Sequence, residues 1–92
     1  MPEASPSVQT KDIEREVRSF LVENFLSGRA EALRDDGSLL GNVIDSLGVL
    51  GLVTFLQDRF QITVEDEDVI PSNLDTVNDV VAFVARKLRA RV

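Results

Sequence analysis

The residues best suited to chemistry lie together in "NVIDSLGVLGLV", residues 42–53, where Asp45 and Ser46 precede an almost uncharged apolar run. A serine hydroxyl becomes a nucleophile only with a base in reach. The chain has no histidine and no cysteine. The common general base, the thiol nucleophile and most transition-metal ligands are therefore missing. Asp45 adjoins Ser46, but neighbours at a helix start point apart, and no lysine lies nearby. The acidic clusters Asp35-Asp36 and Glu65–Asp68 lack the alternating oxygen spacing of a calcium loop and read as solvated faces. These residues argue against a self-contained enzyme. Taken alone, a serine ahead of an apolar helix reads as its N-cap, because its oxygen satisfies an orphan backbone donor.

The elements that must position this stretch follow from apolar spacing. Residues 1–9, "MPEASPSVQ", hold two prolines and no apolar period, and read as a disordered tail ahead of one domain at 10–92. Ile13, Val17, Phe20, Leu21 and Phe25 lie on one face of a first helix that Thr10 caps and Gly28 stops, with Asp12 at its positive end. Residues 28–45 show no sustained period and form a long loop, with some helix near Ala30–Arg34 and with Leu39, Leu40, Val43 and Ile44 to pin it. Val49, Leu52, Val53, Leu56 and Phe60 mark a second helix over 46–60, with Ser46 as its N-cap. "QITV" is read as an extended connector, and "EDEDVI" (65–70) as a single-turn helix halted by Pro71. Asp75 or Thr76 opens a last helix with Val77, Val80, Val81, Val84 and Leu88 on one face. Arg86, Lys87, Arg89 and Arg91 complement its negative end. The expected fold is all-α: a small four-helix bundle of three main helices and one short one, with a long loop between the first two.

At 92 residues the chain can hold one core and little room for a walled active site. A 43% hydrophobic and 28% charged composition is that of an ordinary globule. The net charge of −6 argues against nucleic acid, whose binding needs lysine and arginine on phosphates, and equally against an anionic membrane surface. No apolar stretch reaches the roughly 20 residues of a membrane span, and no apolar leader opens the chain. The absence of cysteine fits a reducing compartment, so the expected location is the cytoplasm.

The second helix carries more apolar residues than one buried stripe requires. Leu47, Leu50 and Thr54 form a second row beside the core row, and an exposed apolar row that begins at a helix-start serine reads as a docking surface. "IDSLGVLGLVTFLQDRF" resembles the Asp-Ser-Leu attachment motif and following helix of acyl carrier proteins and their peptidyl-carrier relatives. The likeness continues through "ITVEDEDVIPSNLDTVNDVVAFV", covers residues 10–90 and extends to the order of the elements. It implies that a phosphopantetheinyl transferase joins 4′-phosphopantetheine from coenzyme A to the Ser46 hydroxyl, and that acyl groups travel on that arm as thioesters. It implies a carrier with no catalysis of its own, in which Asp45 presents Ser46 to the transferase and its metal ion and Leu47 is gripped by partner enzymes. Those partners are an acyl- or aminoacyl-loading ligase and downstream acyl-processing enzymes. Carriers of this kind are monomers.

The chain also departs from the family pattern. Where acids usually line the exposed side of the second helix, it has Gly48 and Gly51, and the next residue on that face is Phe55. Two interior glycines cost a helix about 1 kcal/mol each relative to alanine. We read Leu47, Gly48, Leu50, Gly51, Thr54 and Phe55 as a partner surface with a bare, non-acidic groove, which replacing both glycines with glutamate would test. Val43 stands where the family often has a glycine, which leaves the geometry ahead of the site open. "VIPSNLDT" is two residues longer than in the common fatty-acid type and resembles stand-alone carriers of specialised pathways. Two alternatives stand beside this reading. One is an aminoacyl or peptidyl carrier of a nonribosomal-peptide-like pathway. The other is an unmodified helical interaction module that binds through Leu47, Leu50 and Phe55. Phe20, Phe25, Leu52, Leu56, Phe60, Val69, Val81 and Val84 are the expected core, either a full one or one that parts around cargo.

Overall fold

In a computed structural model, which describes residues 10–90, the first amphipathic stripe becomes helix α1 (Thr10–Phe25), with Ile13, Val17, Leu21 and Val22 buried. The expected tail at 1–9, and Arg91 at the other end, lie outside the described residues. Past Phe25 the chain turns through Ser27 and Gly28, both at positive φ, and Gly28 N–H returns to Val22 C=O at 3.0 Å. That bond and the two left-handed residues close the end of α1, and Gly28 is the expected stop. The long loop contains one 3₁₀ turn, Ala30–Ala32. Leu33, Leu39 and Ile44 anchor the loop in the core, whereas Leu40 and Val43 are only half-buried.

Helix α2 (Ser46–Phe60) buries Leu52, Leu56 and Phe60 and ends at Gln61 in the left-handed region. The segment after it is extended, and the described residues contain no strand. The expected single-turn helix over 65–70 is present in shorter form, and the role of Pro71 is corrected. Residues Asp66–Asp68 form a 3₁₀ turn, and Pro71 does not halt a helix but begins α3 (Pro71–Leu74). Proline fits there because the first helical residue has no intrahelical use for an N–H. Glu65 and Asp68 cap each other reciprocally, which absorbs the acids at the turn's start. Val69 is also corrected, since it stands 40% exposed outside the core.

Helix α4 (Val77–Ala90) has its N-cap in Thr76, whose Oγ1 accepts from Asp79 N–H at 2.9 Å. Its buried face is Val77, Val80, Val81, Val84 and Phe83, the last not anticipated from spacing. α1 packs along α4, and the whole interior is one apolar cluster with no buried polar side chain among the described residues. Phe20, Phe25 and Phe55 border that cluster, and the Phe20 and Phe55 rings stack at 4.3 Å. A bidentate pair at the other end of α2, Arg59 with Glu16, ties it to α1 at 3.0 and 2.7 Å.

Candidate functional site

The approach to Ser46 is a turn built from backbone. Leu39 C=O accepts the N–H groups of Asn42, Val43 and Ile44 at 3.2, 2.8 and 2.8 Å, and Gly41 N–H donates to Ile44 C=O at 2.9 Å. Gly41 sits at φ +84°, where a side chain is strained. The glycine that the turn needs is thus Gly41, and Val43 is free to pack at the edge of the core. Ile44 then buries its side chain, and Asp45 turns extended, with φ −90° and ψ −175°.

The cap assignment changes here. Asp45, not Ser46, is the N-cap of α2, and its Oδ1 accepts Gly48 N–H at 2.7 Å. The aspartate's short carboxylate reaches the third helical N–H and complements the dipole as well, so it outcompetes the serine next to it. Ser46 becomes the first helical residue, exposed, with its hydroxyl free of capping duty. The Ser46 and Leu47 N–H groups belong to the first turn and have no partner within the helix. A phosphate joined to Ser46 would meet those donors and the positive end of a 15-residue helix. These residues fit a serine-linked phosphate. No group of histidine, cysteine or acidic side chains suited to a metal ion occurs among the described residues.

The expected partner surface divides. Leu47 is 76% and Leu50 64% exposed, Gly51 has open space where a Cβ would stand, and Thr54 is exposed. Gly48 and Phe55 do not belong with them. A Cβ on Gly48 would stand 2.8 Å from Phe25 Cε1 and 2.9 Å from Ile44 Cγ2, and Phe55 is half-buried against Phe20. Gly48 is small so that α1 and the loop can approach α2. The bare groove is therefore withdrawn for that position, and a glutamate there would test packing rather than docking. Val69 and Ile70, 40% and 44% exposed, add two apolar side chains beyond the expected row.

Sequence reasoning missed the residues that hold the loop. From the sequence, Asp75 reads only as a helix opener. Its carboxylate accepts from Ser38 Oγ–H at 2.7 Å and from Leu40 N–H at 3.2 Å. The Ser38 hydroxyl first, and the Leu40 amide next, hold the Asp75 carboxyl below the usual carboxylate range. Only the sequence "LDT" hinted at this, because one of its two polar residues was surplus to capping.

The comparisons bear on this geometry. No family model and no solved structure matches the chain. Curated relatives do. An acyl carrier protein of an Exiguobacterium species is 52% identical over 44 residues, which are 48% of this chain and 53% of that protein. The chain thus matches about half the length of that relative. A probable acyl carrier protein, PigG, of a Serratia species is 28% identical over 75 residues, 80% of this chain and 86% of that one. A D-alanyl carrier protein of Streptococcus suis is 27% identical over 79 residues, covering 86% and 99%. The chain is similar to acyl carrier proteins and to a D-alanyl carrier protein, and its all-helical fold is in keeping with that likeness.

Proposed function

We propose that the protein carries acyl groups as thioesters on a 4′-phosphopantetheine arm attached to Ser46. The observation that carries the reading is the exposed Ser46 hydroxyl at the first position of α2, released from capping by Asp45. In the attachment, Ser46 Oγ forms a bond to the phosphorus that bears the pantetheine, and the pyrophosphate bond of coenzyme A breaks. Adenosine 3′,5′-bisphosphate leaves, and the serine proton passes to a base of the transferase. When bound, the arm supplies the thiol that this chain lacks. Asp45 keeps the first turn wound, and the N–H groups of Ser46 and Leu47 face the phosphate. Leu47 and Leu50 offer the apolar grip to the transferase and to loading and processing enzymes.

The first turns of the exposed side of α2 carry Leu47, Leu50, Gly51 and Thr54 without an acid, and the first acid on that face is Asp58. That supports service to dedicated partners of a specialised pathway. Cargo of the aminoacyl type is the second reading, favoured by the near full-length match to the D-alanyl carrier. Incubation with coenzyme A and a promiscuous phosphopantetheinyl transferase, followed by intact mass measurement, tests attachment. The wild type is expected to gain one arm and Ser46→Ala none. An unmodified wild type overturns the carrier mechanism in favour of an interaction module, and a modified Ser46→Ala overturns the site.

A further inference from the structure

Ser46 ends a segment that is fastened to a distant part of the chain. The Asp75 carboxylate, between α3 and α4, accepts from Ser38 Oγ–H at 2.7 Å and Leu40 N–H at 3.2 Å. Its main-chain carbonyl accepts from Leu39 N–H, and Asn78 N–H donates to Asp35 C=O at 3.1 Å. Leu39 C=O then gathers the amides of Asn42, Val43 and Ile44. Ile44 is buried, and its Cγ2 fills the space beside Gly48 on the first turn of α2. A continuous set of bonds and contacts thus runs from Asp75 to the residues on both sides of Ser46.

A carboxylate is not needed at position 75 to start α4, because Thr76 caps that helix. What the carboxylate does is hold the loop, through bonds strengthened by its charge. We propose that Asp75 is a positioning residue for the modification of Ser46. Its carboxylate fixes residues 38–40, so that the turn at 41–44 presents Asp45 and Ser46 in one geometry. This rests on reading Ser46 as the attachment serine. A loop that wanders presents the hydroxyl in many geometries, and only a fraction of encounters with the transferase is productive.

The test compares Asp75→Ala, Asp75→Asn and Ser38→Ala with Glu16→Gln, a control that weakens the remote pair with Arg59. Arm-transfer kinetics, thermal unfolding and amide hydrogen exchange are measured on each full-length protein. Asp75→Ala is expected to lower kcat/KM for arm transfer on the order of tenfold, chiefly in kcat. Asp75→Asn keeps an acceptor and should recover most of that rate. Leu40 N–H should exchange faster in Asp75→Ala and not in Glu16→Gln. Glu16→Gln should unfold at a lower temperature yet accept the arm at close to the wild-type rate. Should Asp75→Ala fail to fold, Ser38→Ala carries the test with a smaller loss of kcat. Wild-type kinetics in folded Asp75→Ala or Ser38→Ala, or an equal slowing in Glu16→Gln, overturns the proposal. A wild-type protein that takes no arm overturns the attachment reading itself, which is a separate result.

Discussion

The ring of Phe25, at the last turn of α1, fills the space that a side chain on Gly48, in the first turn of α2, would need. A Cβ built on Gly48 would lie 2.8 Å from Phe25 Cε1 and 2.9 Å from the buried Ile44. Gly51, one turn further along α2, has no atom within 4 Å of its Cβ position. The same substitution at the two sites should therefore act with opposite sign. Gly51→Ala is expected to stabilise by up to about 1 kcal/mol through helix propensity. Gly48→Ala gains the same propensity but forces apart α1 and the loop, and an overpacked site costs about 1–3 kcal/mol. Denaturant unfolding of both variants at constant m checks this. Equal stabilisation in both would contradict the contact.

Asp45 is expected to matter to α2 through its oxygen more than through its charge. Asp45→Ala removes the acceptor for Gly48 N–H and should lose about 1 kcal/mol of stability, while Asp45→Asn should lose much less. If transfer to Ser46 falls in Asp45→Asn while stability holds, the carboxylate has a second role toward the transferase. Paired unfolding and modification measurements separate the two.

Acid should weaken the fold through three carboxylates held below their usual range. Ser38 and Leu40 act on Asp75, Lys87 and then Glu65 N–H on Asp68, and Arg59 on Glu16. A carboxylate lowered in the folded state favours folding above its unfolded pKa and loses that effect as pH falls through its folded value. The unfolding temperature should be level near neutrality and drop from about pH 5 downward. Asp75→Asn should have a shallower drop. A profile unchanged by that substitution would show that the Asp75 bonds do not depend on charge.

Leu50 is 64% exposed and contacts no part of the core cluster strongly enough to be buried by it. Leu50→Glu should leave stability within about 0.5 kcal/mol, as exposed substitutions do. It should slow arm transfer or loading by on the order of tenfold, as loss of an apolar anchor at a docking centre does. Normal rates with both transferase and ligase would remove Leu50 from the docking row.

Much of this was legible in the sequence, for a physical reason. The periods of α1, α2 and α4 are strong because each helix buries one stripe, and a stripe is a property of neighbours three and four apart. The same signal gave the start of α2, whereas reading Ser46 there as an attachment site came from the likeness of Asp45-Ser46-Leu47 to the carrier motif. Residues whose role depends on distant chain stayed hidden. Gly48 read as an absent acid because its reason, the Phe25 ring, comes from another helix. Asp75 read as a cap because its partners, Ser38 and Leu40, lie 37 and 35 residues away. Pro71 read as a stop because a proline that begins a helix and one that ends it look alike until the next turn is seen.

The Leu40–Asp75 bond also has a place in time. Its ends are 35 residues apart, so it forms only after the chain between them has been gathered in. Helices α1 and α2 can wind on local contacts well before that. A chain cut short of α3 would carry the whole Asp-Ser-Leu tripeptide and lack its distant fastening. Under the proposed attachment, arm transfer to Ser46 would then report on a contact made between distant parts of the chain.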